Sequence, residues 1–172
     1  TLKIIKNTDV SNTKDFFDLQ RITGVGAVKA HKLLDKGITL SKLLGINFNT
    51  PNTEDSNLLK ELTHHQQLGV KYFHDIESKI PFQEIQKIEE YLKEIIKSLS
   101  EDLDIIICGS YRRKKPTSGD IDIIVYSNKL KTIEKTKSSE HLTTFLQFLA
   151  DNNFLVDNLT SFDNPTKYMG FC

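Results

Sequence analysis

Apolar residues recur at helical spacing through the first hundred positions and then give way to short β-branched runs. That change predicts two subdomains of different class. In "SNTKDFFDLQRI" Phe16, Phe17 and Leu19 make an apolar stripe, with Ser11 and Thr13 as candidate N-caps. "GVG" breaks the pattern, and "AVKAHKLLDKGI" restores it through Val28, Leu33 and Leu34 until Gly37. Short helices are expected at 39–44 and around 55–73, with the turn-rich "INFNTPNTEDSN" as a surface connection. Pro81 opens a long helix whose buried face carries Phe82, Ile85, Ile88, Leu92, Ile95 and Ile96. "IIICGS" and "IDIIVYS" read as strands, "SSEHLTTFLQFLADNN" as a helix, and "FLVDNL" and "TKYMGFC" as two further strands. The expected fold is α+β, with a helical subdomain at 1–97 and a sheet-bearing subdomain at 98–172.

Composition narrows the class without naming a function. The 172 residues are 38% hydrophobic and 27% charged, as in ordinary globular proteins. With 23 cations and 23 anions the net charge is zero, so a polyanion-binding surface has to come from segregated charge. Two cysteines, Cys108 and Cys172, give no disulfide framework. No apolar run reaches membrane-span length, and "TLKIIKNTDV" has no signal-peptide core. The expectation is a soluble intracellular monomer that binds no membrane.

Two stretches carry candidate chemistry. "LQRITGVGAVKAHKLLDKGI" reads as helix, tight turn, helix. Gly24 and Gly26 let the backbone turn sharply and approach a partner, and the second helix's free N–H groups point outward around Gly26, Ala27 and Val28. Lys29 adds positive charge beside them, with Lys32 and Lys36 further along. The pattern resembles a helix-hairpin-helix motif, which grips a DNA backbone without reading its sequence. The adjacent His64 and His65 point about 100° apart on a helix, so packing or a phosphate contact suits them better than a shared metal.

The second stretch is "GSYRRKKPTSGDIDIIV". In a strand, residues two apart share a face, so Asp120 and Asp122 would project together while Ile121 and Ile123 turn into the core. Two like charges so close repel, and a hard divalent cation, Mg²⁺ or Mn²⁺, resolves the conflict. Gly109 and Ser110 precede them at a strand end, where N–H groups and a hydroxyl can hold phosphate oxygens. Arg112, Arg113, Lys114 and Lys115 supply countercharge. A phosphate cradle followed by paired carboxylates is what nucleotidyl transfer requires.

Glycine, serine, aromatic, two arginines and then "SGDID" resembles the nucleotidyltransferase palm of the X-family DNA polymerases. Their beta type is matched in order and spacing by "ITGVGAVKAHKLLDKGITLSKL", "LTHHQQLGVKYFHDIESKIP" and "TKYMGFC". By that resemblance Asp120 and Asp122 are two of three metal-binding catalytic aspartates. Gly109, Ser110, Arg113, Ser118 and Gly119 bind the incoming dNTP, with Lys79 at a position commonly arginine. Backbone carbonyls of Gln20, Ile22 and Val25 hold a monovalent cation, Na⁺ or K⁺, between the hairpin and a primer phosphate. Thr166 and Lys167 fall in a palm strand near the DNA template.

The resemblance implies a DNA-directed repair polymerase that fills gaps and binds primer–template or gapped duplex DNA. The family's third catalytic aspartate, its thumb and its lyase domain have no counterpart in residues 1–172, so the chain is expected to be part of a longer protein and weakly active or inactive alone. Two alternatives remain at this stage, a template-independent terminal transferase and a non-catalytic DNA-binding module with a palm-like scaffold. Abundant Asn, Ile and Lys suggest an AT-rich genome, so the expected compartment is the nucleus in a eukaryote, or the cytoplasm or virion for a virus.

Overall fold

The computed structural model describes residues 10–127, 129, 130, 132 and 140–172. The opening residues 1–9, read above as lacking a signal-peptide core, lie outside them, as do Ser138 and Ser139. Mixed helices and short antiparallel strands make an α+β fold, and the chain divides into two compact units, residues 1–74 and 75–172. The composition change near residue 98 falls inside the second unit, at the end of its long helix. Among the described residues, no helix is long and apolar enough to cross a membrane.

The first unit runs through α1 (Val10–Gln20), α2 (Ala27–Asp35), α3 (Leu40–Leu44), α4 (Thr53–Lys60) and α5 (His64–Lys71). Leu19, Ile22, Val25, Leu33, Leu43, Leu62, Val70 and Phe73 form its core. Helix α1 runs through Ser11 and Thr13, so neither is the cap that the polar spacing suggested. Phe17 is 62% exposed, while Phe16 packs on the core and Leu19 is fully buried. Two aromatic residues in succession point about 100° apart on a helix, and only one can follow the buried stripe. "TEDSN", read as connection, opens α4 instead. The Asn52 side chain accepts from the Asp55 N–H while the Asp55 carboxylate accepts from the Asn52 N–H, a capping box that outweighs the turn propensity of these residues.

Helix α6 (Phe73–Glu77) leads into the second unit, which continues with β1 (Ile80–Pro81), α7 (Phe82–Leu99), β2 (Leu103–Ile107), α8 (Gly109–Arg112), β3 (Thr117–Ser118) and β4 (Ile123–Ser127). Then come α9 (His141–Asp151), β5 (Asp157–Asn158) and β6 (Gly170–Phe171). Leu92 and Ile96 of α7 pack with Leu103 and Ile105 of β2 and with Phe145 and Leu149 of α9. Strands β2 and β4 pair antiparallel, with Ile105 opposite Val125 and Ile107 opposite Ile123. Leu103, Ile105 and Ile107 face the helices. Ile106, Ile124 and Tyr126 occupy the other face, which the described residues leave open.

Candidate functional site

The expected cradle is built from three segments of the second unit. Strand β2 ends at Ile107, and Cys108 donates its backbone N–H to the Asp122 carbonyl at 2.8 Å, extending the β2–β4 ladder past its regular end. Gly109 then turns with φ +59, a left-handed conformation that favours glycine. A β-carbon there would stand 2.7 Å from Asp122 Oδ2, so the absence of a side chain is what lets the turn lie against the carboxylate. Gly109 and Ser110 fall in the first turn of α8, where N–H groups have no acceptor within the helix.

Strand β3 closes the loop. It pairs with β1, with Ser118 opposite Ile80 and Thr117 opposite Pro81, and Phe82 donates its N–H to the Pro116 carbonyl at 3.0 Å. This pairing brings Lys79, thirty residues upstream of Gly109, beside Gly119. The lysine Nζ lies 3.2 Å from where a Gly119 β-carbon would be. Ser118 is 2% exposed, and its Oγ has no hydrogen-bond partner among the described residues. A buried hydroxyl left unpaired costs about 1–3 kcal/mol, which an arriving acceptor would recover. Lys79, Arg112, Arg113, Lys114 and Lys115 are exposed and form no ion pair among the described residues. A chain of zero net charge thus carries five exposed cations on the segments that build this loop, none in an ion pair among the described residues.

The carboxylates differ in place from the sequence-based expectation. Asp120 and Asp122 lie in the segment that leads into β4, ahead of its first residue, and both are exposed. Ile121 is half-buried and Ile123 is 38% exposed, so neither is a core residue. The packed cluster takes in β4 only at Val125, which leaves this end of the strand uncovered. Neither carboxylate is engaged in a hydrogen bond or ion pair among the described residues, and both remain available as oxygen donors. Among those residues, no group of three or more His, Cys, Asp and Glu side chains is disposed to hold a metal ion.

Tyr111 entered the sequence reading only as the aromatic of the motif, with no role given to it. Its ring stacks on Phe82, with centroids 4.7 Å apart, and its hydroxyl donates to Glu89 on α7 at 2.7 Å. Burial, reinforced by the Glu89 hydrogen bond and charge, pushes the phenol up to about 12. Burial acts to raise the Glu89 carboxyl, but hydrogen bonds from Lys93 and Tyr111 outweigh it and hold the group below its usual range.

The hairpin turn of the first unit spans residues 21–26. Gly24 has φ +81, and a β-carbon there would meet His65 Cδ2 at 2.9 Å. His65 therefore packs against the turn. Gln66, buried beside it, donates from Nε2 to the Gly24 carbonyl at 2.7 Å, and its Oε1 accepts from the Thr63 N–H. Gly69 is pressed against the same turn, where a β-carbon would be 2.9 Å from the Thr23 carbonyl oxygen. The spacing Thr63-x-x-Gln66 is a capping signature that could have drawn attention to this buttress.

Gly26 differs from its neighbour. Its φ of −88 and ψ of 177 suit any residue, and a β-carbon there would meet nothing within 4 Å. No side chain caps α2, so the N–H groups of Ala27 and Val28 open into a shallow depression lined by Gly26, Ala27, Val28, Lys29 and Lys32. Val28 is 72% exposed there. The Lys29 ammonium is held by the Glu61 carbonyl oxygen, while Lys36 pairs with the Glu61 carboxylate at 2.6 Å. The Ile22 carbonyl accepts the Val25 N–H at 3.0 Å and keeps a second lone pair. Thr166 and Lys167 are in no strand. Both N–H groups are gathered by Asn164 Oδ1 in a turn ahead of β6, because an asparagine side chain offers a local acceptor that competes with sheet pairing.

Comparison with known proteins follows the same two regions. The family model described as DNA polymerase beta palm matches residues 79–172. A DNA polymerase lambda of Arabidopsis thaliana is 38% identical over 139 residues, covering 80% of this chain and 23% of the relative. One from Rattus norvegicus is 30% identical over 123 residues, covering 69% of this chain and 20% of the relative. Leishmania infantum polymerase beta, solved as a ternary P/T complex, superposes with a TM-score of 0.78 at 34% identity, covering 92% of this chain and 57% of that one. The chain thus spans about a fifth of the length of the two lambda relatives.

Proposed function

The chain belongs to the X-family DNA polymerases, and on that premise we propose that it supplies the DNA-gripping hairpin and the nucleotide-binding part of the palm for templated addition of a deoxynucleotide to a primer 3′ hydroxyl. One observation carries the reading. The β1–β3 pairing and the Gly109–Asp122 contact draw Lys79, Ser118, Gly119, Gly109 and Asp122 from three stretches of sequence around one turn.

In this reading the N–H groups of Gly109 and Ser110 and the Ser118 hydroxyl bind triphosphate oxygens. Arg113 and Lys79 balance the charge of the polyphosphate. Asp120 and Asp122 fit a divalent ion, Mg²⁺ or Mn²⁺, because both are oxygen donors with no partner among the described residues, and Asp122 lies against a backbone turn that has no side chain in the way. When bound there, such an ion supplies Lewis-acid stabilisation of phosphoryl oxygens and a lowered hydroxyl pKa. The third carboxylate of the family's set would come from outside the described residues. The N–H groups at Gly26 and Ala27 bind a DNA phosphate, and the carbonyls of Gln20, Ile22 and Val25 face a monovalent cation on the same strand. Thr166 and Lys167 are assigned to the template side, and the working unit is a monomer on gapped or primed DNA.

Single-nucleotide gap filling tests this. The chain in its full-length parent should extend the primer in a manner that needs Asp120 and Asp122. The 172-residue chain alone should bind Mn²⁺–dATP but extend near background. Extension by the parent with both aspartates replaced by alanine would overturn the reading.

A further inference from the structure

The nucleotide cradle is pinned to α7 through one side chain that the proposed chemistry leaves unused. Tyr111 sits between Ser110 and Arg113, both assigned above to the triphosphate. Its ring lies on Phe82 with an interplanar angle of 24°, and its hydroxyl donates to Glu89 Oε2 at 2.7 Å. Lys93 Nζ holds the other oxygen, Glu89 Oε1, at 2.7 Å, so the carboxylate acceptor is itself fixed. Phe82 also takes the Pro116 carbonyl with its N–H. The same residue of α7 thus clamps the loop on both sides of Arg112 to Lys115, a run that has no other anchor to that helix among the described residues.

We infer that Tyr111 is a positioning residue for nucleotide binding, acting through the chain Lys93–Glu89–Tyr111 to hold Ser110 and Arg113 in register with Ser118 and Gly119. The proposal rests on the triphosphate reading of this site and adds a named determinant of its affinity. A stacked ring alone restrains tilt and separation but permits sliding in the ring plane. The hydroxyl-to-carboxylate bond, made in a half-buried setting, removes that freedom. Pre-ordering the loop spares the bound nucleotide the cost of ordering it, so the gain appears as affinity.

The experiment measures binding of Mn²⁺–dATP, and separately of Mn²⁺ alone, to the 172-residue chain and to Tyr111→Phe, Glu89→Gln and Glu89→Leu. It also follows amide hydrogen exchange at residues 110–113. Tyr111→Phe and Glu89→Leu are expected to weaken nucleotide binding roughly three- to tenfold, the range expected for one lost hydrogen bond. Exchange at 110–113 should quicken in both, while Mn²⁺ affinity without nucleotide stays at the parent value. Glu89→Gln keeps an acceptor for the phenol and should restore binding to within about twofold. Parent-like nucleotide binding by Tyr111→Phe overturns the positioning role, and so does Glu89→Gln binding as poorly as Glu89→Leu. Failure of the parent itself to bind Mn²⁺–dATP overturns the triphosphate reading, and the positioning role with it.

Discussion

A β-carbon placed on Gly109 would stand 2.7 Å from Oδ2 of Asp122, so the turn and the carboxylate are in contact with no room to spare. Gly109→Ala has to shift one of them, and it also forces a side chain into a backbone at φ +59. The expected outcome is a loss of about 1–2 kcal/mol in stability of the second unit, together with weaker Mn²⁺ binding. Denaturant melts combined with a Mn²⁺ titration check both parts. A variant that loses stability but keeps parent Mn²⁺ affinity would separate the turn from the carboxylate.

Gly26→Ala asks a different question, because the protein itself does not use the missing side chain. With open space around it and an ordinary φ of −88, the variant should fold, losing no more than about 1 kcal/mol because alanine is a poorer N-cap for α2 than glycine. Any loss in DNA affinity then reports a partner that approaches the backbone. Fluorescence titration at low salt should show weaker binding to duplexes of any sequence, and affinity that falls steeply as salt rises. Equal affinity for parent and variant would remove the hairpin from the DNA-binding surface.

Gln66→Leu should destabilise the first unit by about 1–3 kcal/mol. It strips the Gly24 carbonyl and the Thr63 N–H of their partner and leaves the turn without its brace. Unit-resolved hydrogen exchange is the suitable measurement, since residues 75–172 should keep parent protection.

Much of this was legible in the sequence, for identifiable reasons. The α7 face and the β2 and β4 strands follow from periodicity, and the glycines at 24 and 109 mark turns whose positive φ demands them. What periodicity lacks is a record of what covers each face. Ile123 looks like a core residue, yet the packed cluster reaches β4 only at Val125 and leaves it 38% exposed. Phe17 fails for another reason, since two successive aromatics on a helix cannot both follow the buried stripe. Tyr111 and Glu89 find each other 22 residues apart, and Gln66, marked only by its capping spacing, matters through a carbonyl 42 residues away, which no local pattern records.

Acid should loosen the cradle through Glu89. Its folded-state carboxyl is held below the unfolded value, so the stability it contributes is present above the ordinary glutamate value of about 4.3 and is lost as pH falls through the depressed one. Because the group is only partly buried and its partner Lys93 is exposed, the effect should stay below about 1 kcal/mol. Melting curves between pH 6 and pH 3 should show a shallower acid slope for Glu89→Gln than for the parent. Identical slopes would place the acid sensitivity elsewhere.

The central claim is that residues 109–122 form a single metal and triphosphate site, and Mn²⁺-induced line broadening tests it most directly. With Mn²⁺–dATP added, amide signals of Gly109, Ser110, Ser118 and Gly119 in the parent chain should broaden beyond detection while those of α9 persist. In Asp120→Asn/Asp122→Asn they should stay sharp at the same concentrations. Broadening that survives in the double variant, or that never reaches these four residues in the parent, would contradict the account.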